Sequence, residues 1–156
     1  MPHLEEFDDY KRVIVNKLLR DKEFVSLMTD EKDPELPASG LLNKQIFLYD
    51  YLDNTITEDK VMVCVDCDDD DAVNCAVTRF NLHIWIAVPK SLMNMSGKIR
   101  RDALASRADE LLNGSTEFGF GRLTRKAGGR FHMNNTYRCR TLNYTVEDWN
   151  RHNKTL

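Results

Sequence analysis

From Phe80 to Val88 the chain reads F-N-L-H-I-W-I-A-V. Phe80, Leu82, Ile84, Ile86 and Val88 fall on one side of an extended backbone, and Asn81, His83, Trp85 and Ala87 on the other. This period-two alternation is that of a strand with one strongly apolar face. The longer stretch Cys75 to Val88 has no glycine or proline before Pro89 and is rich in β-branched and aromatic residues, the character of a central strand. Whatever covers its apolar face must come from the rest of the chain.

Two helices are available. Leu4, Phe7, Val13, Ile14, Leu18, Val25 and Met28 recur at three-and-four spacing and predict one amphipathic helix from about Leu4 to Met28. Its acidic start (Glu5, Glu6, Asp8, Asp9) suits the positive end of a helix dipole, and two prolines and a glycine after Thr29 end it. Lys98 to Asn113 predicts a second helix, with Ile99, Ala103, Leu104, Ala108, Leu111 and Leu112 on one face. Gly114 stands where a left-handed cap would close it, and Ser96 is a candidate for its start.

Between these landmarks, Lys60 to Cys67 reads as a strand with Val61, Val63 and Val65 on one side, ending in the acidic turn Asp66 and Asp68 to Asp71. Gln45 to Leu52 is too apolar for a solvated loop and reads as a short helix or irregular strand covering one edge. Pro89 to Gly97 is a connection. Phe118 to Thr124 reads as β, Lys126 to Arg130 as a turn, and Tyr137 to Val146 as a final strand. The expected fold is α+β: an antiparallel or mixed sheet of about four strands packed against two main helices. A chain of 156 residues fits one domain over 1–156, with an irregular segment at 29–59 and a polar tail at 147–156.

Composition narrows the function classes. A formal net charge of -3 gives no reason to expect a dedicated binder of nucleic acid or anionic membrane. No apolar run approaches the ~20 residues needed to span a bilayer, and the acidic first residues do not resemble a secretory signal, so a soluble protein made in a cytosol is expected. Cys64, Cys67, Cys75 and Cys139 are expected to be reduced, because a reducing compartment disfavours disulfides and Cys64 and Cys67 fall on a strand, not in a zinc knuckle.

Catalytic motifs are missing: there is no G-x-S-x-G, H-E-x-x-H or P-loop, and F-G-F-G-R-L neither follows a strand-to-helix turn nor precedes a helix. Asp109 and Glu110 diverge by about 100° on a helix and cannot work as a pair. The acidic turn at Asp68, Asp69, Asp70 and Asp71 lacks the glycine and distal glutamate of a calcium loop of the EF type and reads as a solvated connection. No cofactor, no metal and no catalytic residue are therefore expected. His83 and Trp85 share the nominally polar side of the central strand. A tryptophan there implies a covered face, under either the Gln45 to Leu52 segment or another subunit.

The opening helix I-V-N-K-L-L-R-D-K-E-F-V-S-L-M (Ile14 to Met28), the strand F-N-L-H-I-W-I-A-V and the helix R-R-D-A-L-A-S-R-A-D-E-L-L-N-G (Arg100 to Gly114) are followed by F-G-F-G-R-L and Y-R-C-R-T-L-N-Y. In this order and texture the chain, from roughly Val13 to Val146, resembles small connector proteins of long-tailed bacteriophages, especially the tail terminator or tail completion class at the neck. The resemblance implies a non-enzymatic subunit of a ring, commonly a hexamer, that caps the tail tube and docks head-completion proteins. It would be assembled in the host cytoplasm into the virion, with DNA only as passing cargo and no membrane. Asp68 to Asp71, His83, Trp85, Arg122, Arg125 and Arg130 would then be subunit or channel contacts. A head-completion (stopper) protein of the same neck is the alternative, and a metal-binding protein or enzyme using Cys64, Cys67 and the Asp66 to Asp71 loop a second one.

Overall fold

A computed structural model of the chain describes residues 5–52, 55–56, 58–69, 73–117 and 122–149. The elements run α1 (Glu5–Arg20), α2 (Lys22–Thr29), a 3-10 turn (Ser39–Leu41), β1 (Ile46–Phe47), β2 (Met62–Asp69) and β3 (Val77–Pro89). There follow α3 (Lys90–Met93), β4 (Asn94–Met95), β5 (Lys98–Ile99), α4 (Arg100–Leu112), β6 (Thr124–His132) and β7 (Tyr137–Trp149). One mixed sheet has the order β1-β2-β3-β7-β6, antiparallel except for the β1–β2 pair, and β4 and β5 form a separate small hairpin. The fold is the expected α+β, with five strands in its main sheet where about four were expected. The fifth is β1, the edge-covering piece of Gln45 to Leu52.

The alternation read in the sequence sets the two faces. Phe80, Leu82, Ile84, Ile86 and Val88 are fully buried on the side of the helices, in one cluster with Ile14, Leu18, Phe24, Leu27, Leu104 and Ala108. Leu142, Tyr144 and Val146 of β7 extend that floor, since they pair with Ile84, Leu82 and Phe80. At roughly 1.5–3 kcal/mol for each large side chain buried, this cluster supplies the main drive to fold. The opposite face has a smaller core of Phe47, Met62, Cys64, Ala87, Tyr137 and Cys139. Tyr51, Leu52 and Ile56 pack on it, and Trp85 joins them, so the local segment covers this end of the second face. Phe47 and Tyr51 stack at 3.8 Å, and the Tyr137 hydroxyl donates to the carbonyls of Glu58 and Lys60.

Several boundaries correct the sequence reading. The single opening helix is two, broken at Asp21, which adopts an extended backbone and accepts the Phe24 N–H at 2.9 Å as the N-cap of α2. Capping here outweighs continuation because Asp21 also holds the Arg107 guanidinium of α4 through two bonds of 2.9 and 2.7 Å. Lys126 to Arg130 is not a turn but lies within β6, at a bulge between Lys126 and Gly129. A Cβ on Gly128 would collide with the Thr141 carbonyl oxygen, so glycine serves strand pairing at that point. Glu147 to Trp149, assigned to the polar tail, continue β7, and residues 150–156 lie outside the described chain. So does most of the expected Phe118 to Thr124 strand, at 118–121. Ser96 does not cap α4: the N-cap position is Ile99, with no side-chain cap bond. Gly114 does take the left-handed conformation, φ 82°, just past the helix.

Asp21→Ala removes both a cap and a charge-assisted pair, and is expected to cost about 2 kcal/mol in urea unfolding at pH 7. Arg107 beside it holds the Asp21 carboxyl below its ordinary 3.8. A depressed carboxyl contributes stability above its unfolded pKa and loses it as pH falls through the folded value. The difference between wild type and variant should therefore shrink below pH ~4; a gap that stays constant into strong acid would contradict this role for the carboxylate.

Candidate functional site

Strand order decides which charges lie at the margins of the sheet. β1 pairs only with Val63 and Cys64 of β2, so from Val65 to Asp69 β2 is an edge, and β6 is the edge on the other side. The β2 edge carries Asp66, Asp68 and Asp69. Asp68 and Asp69 are exposed, and Asp66 accepts its neighbour Cys67 N–H at 2.9 Å and lies 3.6 Å from Lys11. The bond to Cys67 occupies an edge amide that would otherwise invite another strand. Asp70 and Asp71, expected to belong to the same site, lie outside the described residues.

The β6 edge carries Arg125, Lys126 and Arg130, with Arg122 just before it, all exposed. The structure does not gather the three predicted arginines. Arg122 lines a cleft of about 470 Å³ with Arg79, Lys126, Thr145 and Glu147. Arg125 lines one of about 280 Å³ beside α4 with Asp102, Asp109 and Arg140, and Arg130 one of about 580 Å³ with Arg101, Phe131 and Arg138. Arg125 is 3.7 Å from Asp109, which also accepts the Tyr144 hydroxyl at 2.7 Å. Burial, then Asp109 itself, drives the Tyr144 hydroxyl far above its ordinary pKa of 10. In the Arg122 cleft, Arg79 pairs with Glu147 at 3.3 Å, whereas Arg122 and Lys126 have no ion-pair partner among the described residues. The Thr145 hydroxyl is buried with no hydrogen-bond partner among the described residues. A hydroxyl left so costs about 1–3 kcal/mol.

The pairing register places the two edges in line. Asp68, Asn81, Thr145 and Thr124 form one row across β2, β3, β7 and β6, and Asp66, His83, Asn143 and Lys126 form the next. Acid therefore stands at one end of these rows and base at or beside the other, three strand spacings or ~14 Å apart. His83 links the middle: Nδ1 is 2.7 Å from the Asn143 side-chain oxygen, and Nε2 3.0 Å from an Asp68 carboxylate oxygen. The Asn143 amide is oriented by its own bond to the Ala127 carbonyl at 2.9 Å, so Nδ1 donates. His83 stacks on Trp85 at 5.7 Å, which joins the apolar end of this face to its polar end.

For metal chemistry the geometry is unfavourable. Cys64 shares a row with Trp85 and Cys67 with Leu82, so they face opposite sides of the sheet and cannot hold one ion together. Burial raises the Cys64 and Cys139 thiols to about 11 and the Cys67 thiol to about 12, away from thiolate reactivity at neutral pH. Among the described residues no three His, Cys, Asp or Glu side chains are grouped to bind a metal, and no helix is long and apolar enough to cross a membrane.

The charged segments are visible in the sequence, but nothing in it marks Arg79 or Thr145, whose relation to Arg122 depends on strand pairing. No curated protein matches the chain. A family model described as YomW, a phage-derived gene name, matches residues 21–146, from the cap of α2 through most of β7. The chain belongs to the YomW family and is a phage-associated protein.

Proposed function

We propose that the protein is a non-enzymatic structural subunit of the virion, a tail terminator that forms a ring at the head–tail neck and joins the tail tube to the head-completion proteins. The observation that carries this reading is the opposite charge on the two edges of one rigid sheet. Copies meeting by like edges repel, acid against acid or base against base, whereas the acidic edge of one attracts the basic edge of the next. Such a head-to-tail contact is heterologous and closes into a ring when its rotation divides the circle. Six copies would do so with 60° between neighbours, the hexamer of the connector class this chain resembles. The YomW match supports the phage setting. DNA passes through the ring as cargo, and assembly takes place in the host cytoplasm.

The test is to isolate head-free tails and tail-free, DNA-filled heads from the phage and probe each with antibody to this chain. A terminator stays on the upper end of the tails. Finding it on heads alone would assign it to the stopper position, and finding it in neither would remove it from the neck.

A further inference from the structure

The proposed ring requires a specific seat at each subunit junction, and on that reading we infer that the cleft of Arg79, Arg122, Lys126 and Thr145 receives the Asp68 carboxylate of a second copy. The cleft is a receptor for oxyanions by its own chemistry. Among the described residues it combines two cations without ion-pair partners, a third, Arg79, balanced by Glu147, and a buried hydroxyl without a hydrogen-bond partner. The ligand is present in the same molecule. Asp68 is exposed, lies 3.0 Å from His83 Nε2 and stands on the cleft's side of the sheet, while Asp69, exposed on the other side, adds to the charge of the same edge. Both features lie at the same end of the sheet: Asp68 is in the row that ends at Thr145 and Thr124, the residues lining the cleft. A neighbour laid edge to edge therefore brings its Asp68 level with the cleft without sliding along the strands. An inorganic or nucleic-acid phosphate has similar chemistry, but the chain supplies the carboxylate at the matching height and has a net charge of -3, which opposes a polyanion.

The test uses two charge-reversed full-length chains, Arg122→Glu/Lys126→Glu and Asp68→Lys/Asp69→Lys, with association read by sedimentation and native mass spectrometry. Each alone should associate at least roughly 100-fold more weakly than wild type, because every junction now opposes like charges. Mixed in equal amounts, they should assemble again in alternation, which also shows that both are folded. If both variants assemble like wild type, the cleft is not the seat although the ring stands. If each loses assembly and the mixture does not regain it, the two edges do not meet each other. A monomeric wild type overturns the ring reading and this one together. Saturable binding of inorganic phosphate or a short DNA duplex that Arg122→Glu/Lys126→Glu abolishes, with assembly unchanged, would give the cleft to a phosphate instead.

Discussion

Replacing Phe80 by alanine is expected to cost about 4 kcal/mol of folding stability, from the range of roughly 3–5 kcal/mol for large aromatic-to-alanine changes in cores. Phe80 is fully buried on β3. Phe7 and Tyr10 of α1 meet its ring edge-on, each at 5.4 Å between centroids, so the cavity would open where the first helix is seated on the sheet. Each aromatic contact adds about 0.5–1.5 kcal/mol beyond the area buried. Against a typical total of about 5–15 kcal/mol, the loss would leave a chain close to unfolding at ambient temperature. Urea unfolding followed by tryptophan fluorescence measures it. A loss below about 1.5 kcal/mol would mean that α1 does not rest on β3 as described.

Arg100→Ala is expected to cost about 3 kcal/mol. Arg100 opens α4, yet it is only 5% exposed. Its guanidinium donates to the Leu27 carbonyl in the last turn of α2, to the Leu92 carbonyl of α3 at 2.7 Å, and to Asp30, which caps α2, at 2.6 Å. One cation thus ties three segments and sits at the negative end of the α2 dipole. Alanine leaves the two carbonyls without their charged donor and removes the packing of the stem. In a thermal melt the midpoint should fall by roughly 6–12 °C. Arg100→Lys should recover only part of it, since an ammonium cannot reproduce the planar fork. If lysine restored the wild-type midpoint, the charge alone and not the three-way geometry would be what matters.

These two residues mark where the sequence could and could not be read. Phe80 announces itself, because the period of a strand is local and its apolar alternation survives any tertiary arrangement. Arg100 does not. The pair Arg100 and Arg101 looks like solvated helix surface, and its burial comes from Leu27, 73 residues away in the chain. The break at Asp21 was hidden in the same way, by an apolar stripe that runs on across it while the reason for the break, Arg107, lies 86 residues on. Lys126 to Arg130 carries turn chemistry in its two glycines, but β7 recruits the segment as a strand and uses Gly128 to let the Thr141 carbonyl come close.

The candidate site was legible as charge and illegible as place. Asp68 to Asp71 and the late arginines stand out in composition, but only the order β1-β2-β3-β7-β6 puts them on opposite margins, and only the register puts Asp68 level with Thr145. Trp85 signalled a covered face correctly. The cover at its own end is the segment bearing Tyr51, Leu52 and Ile56, and the remainder of that face, around His83 and Asn143, is polar.

In the proposed ring, the acidic edge of one sheet meets the basic edge of the next, head to tail, until the circle closes. Native mass spectrometry of the full chain at moderate ionic strength decides whether that ring forms. A single closed species of six copies is expected, falling apart into monomers as salt is raised, because the proposed junctions are charge pairs at exposed edges. A monomer at every concentration, or a dimer indifferent to salt, would contradict it.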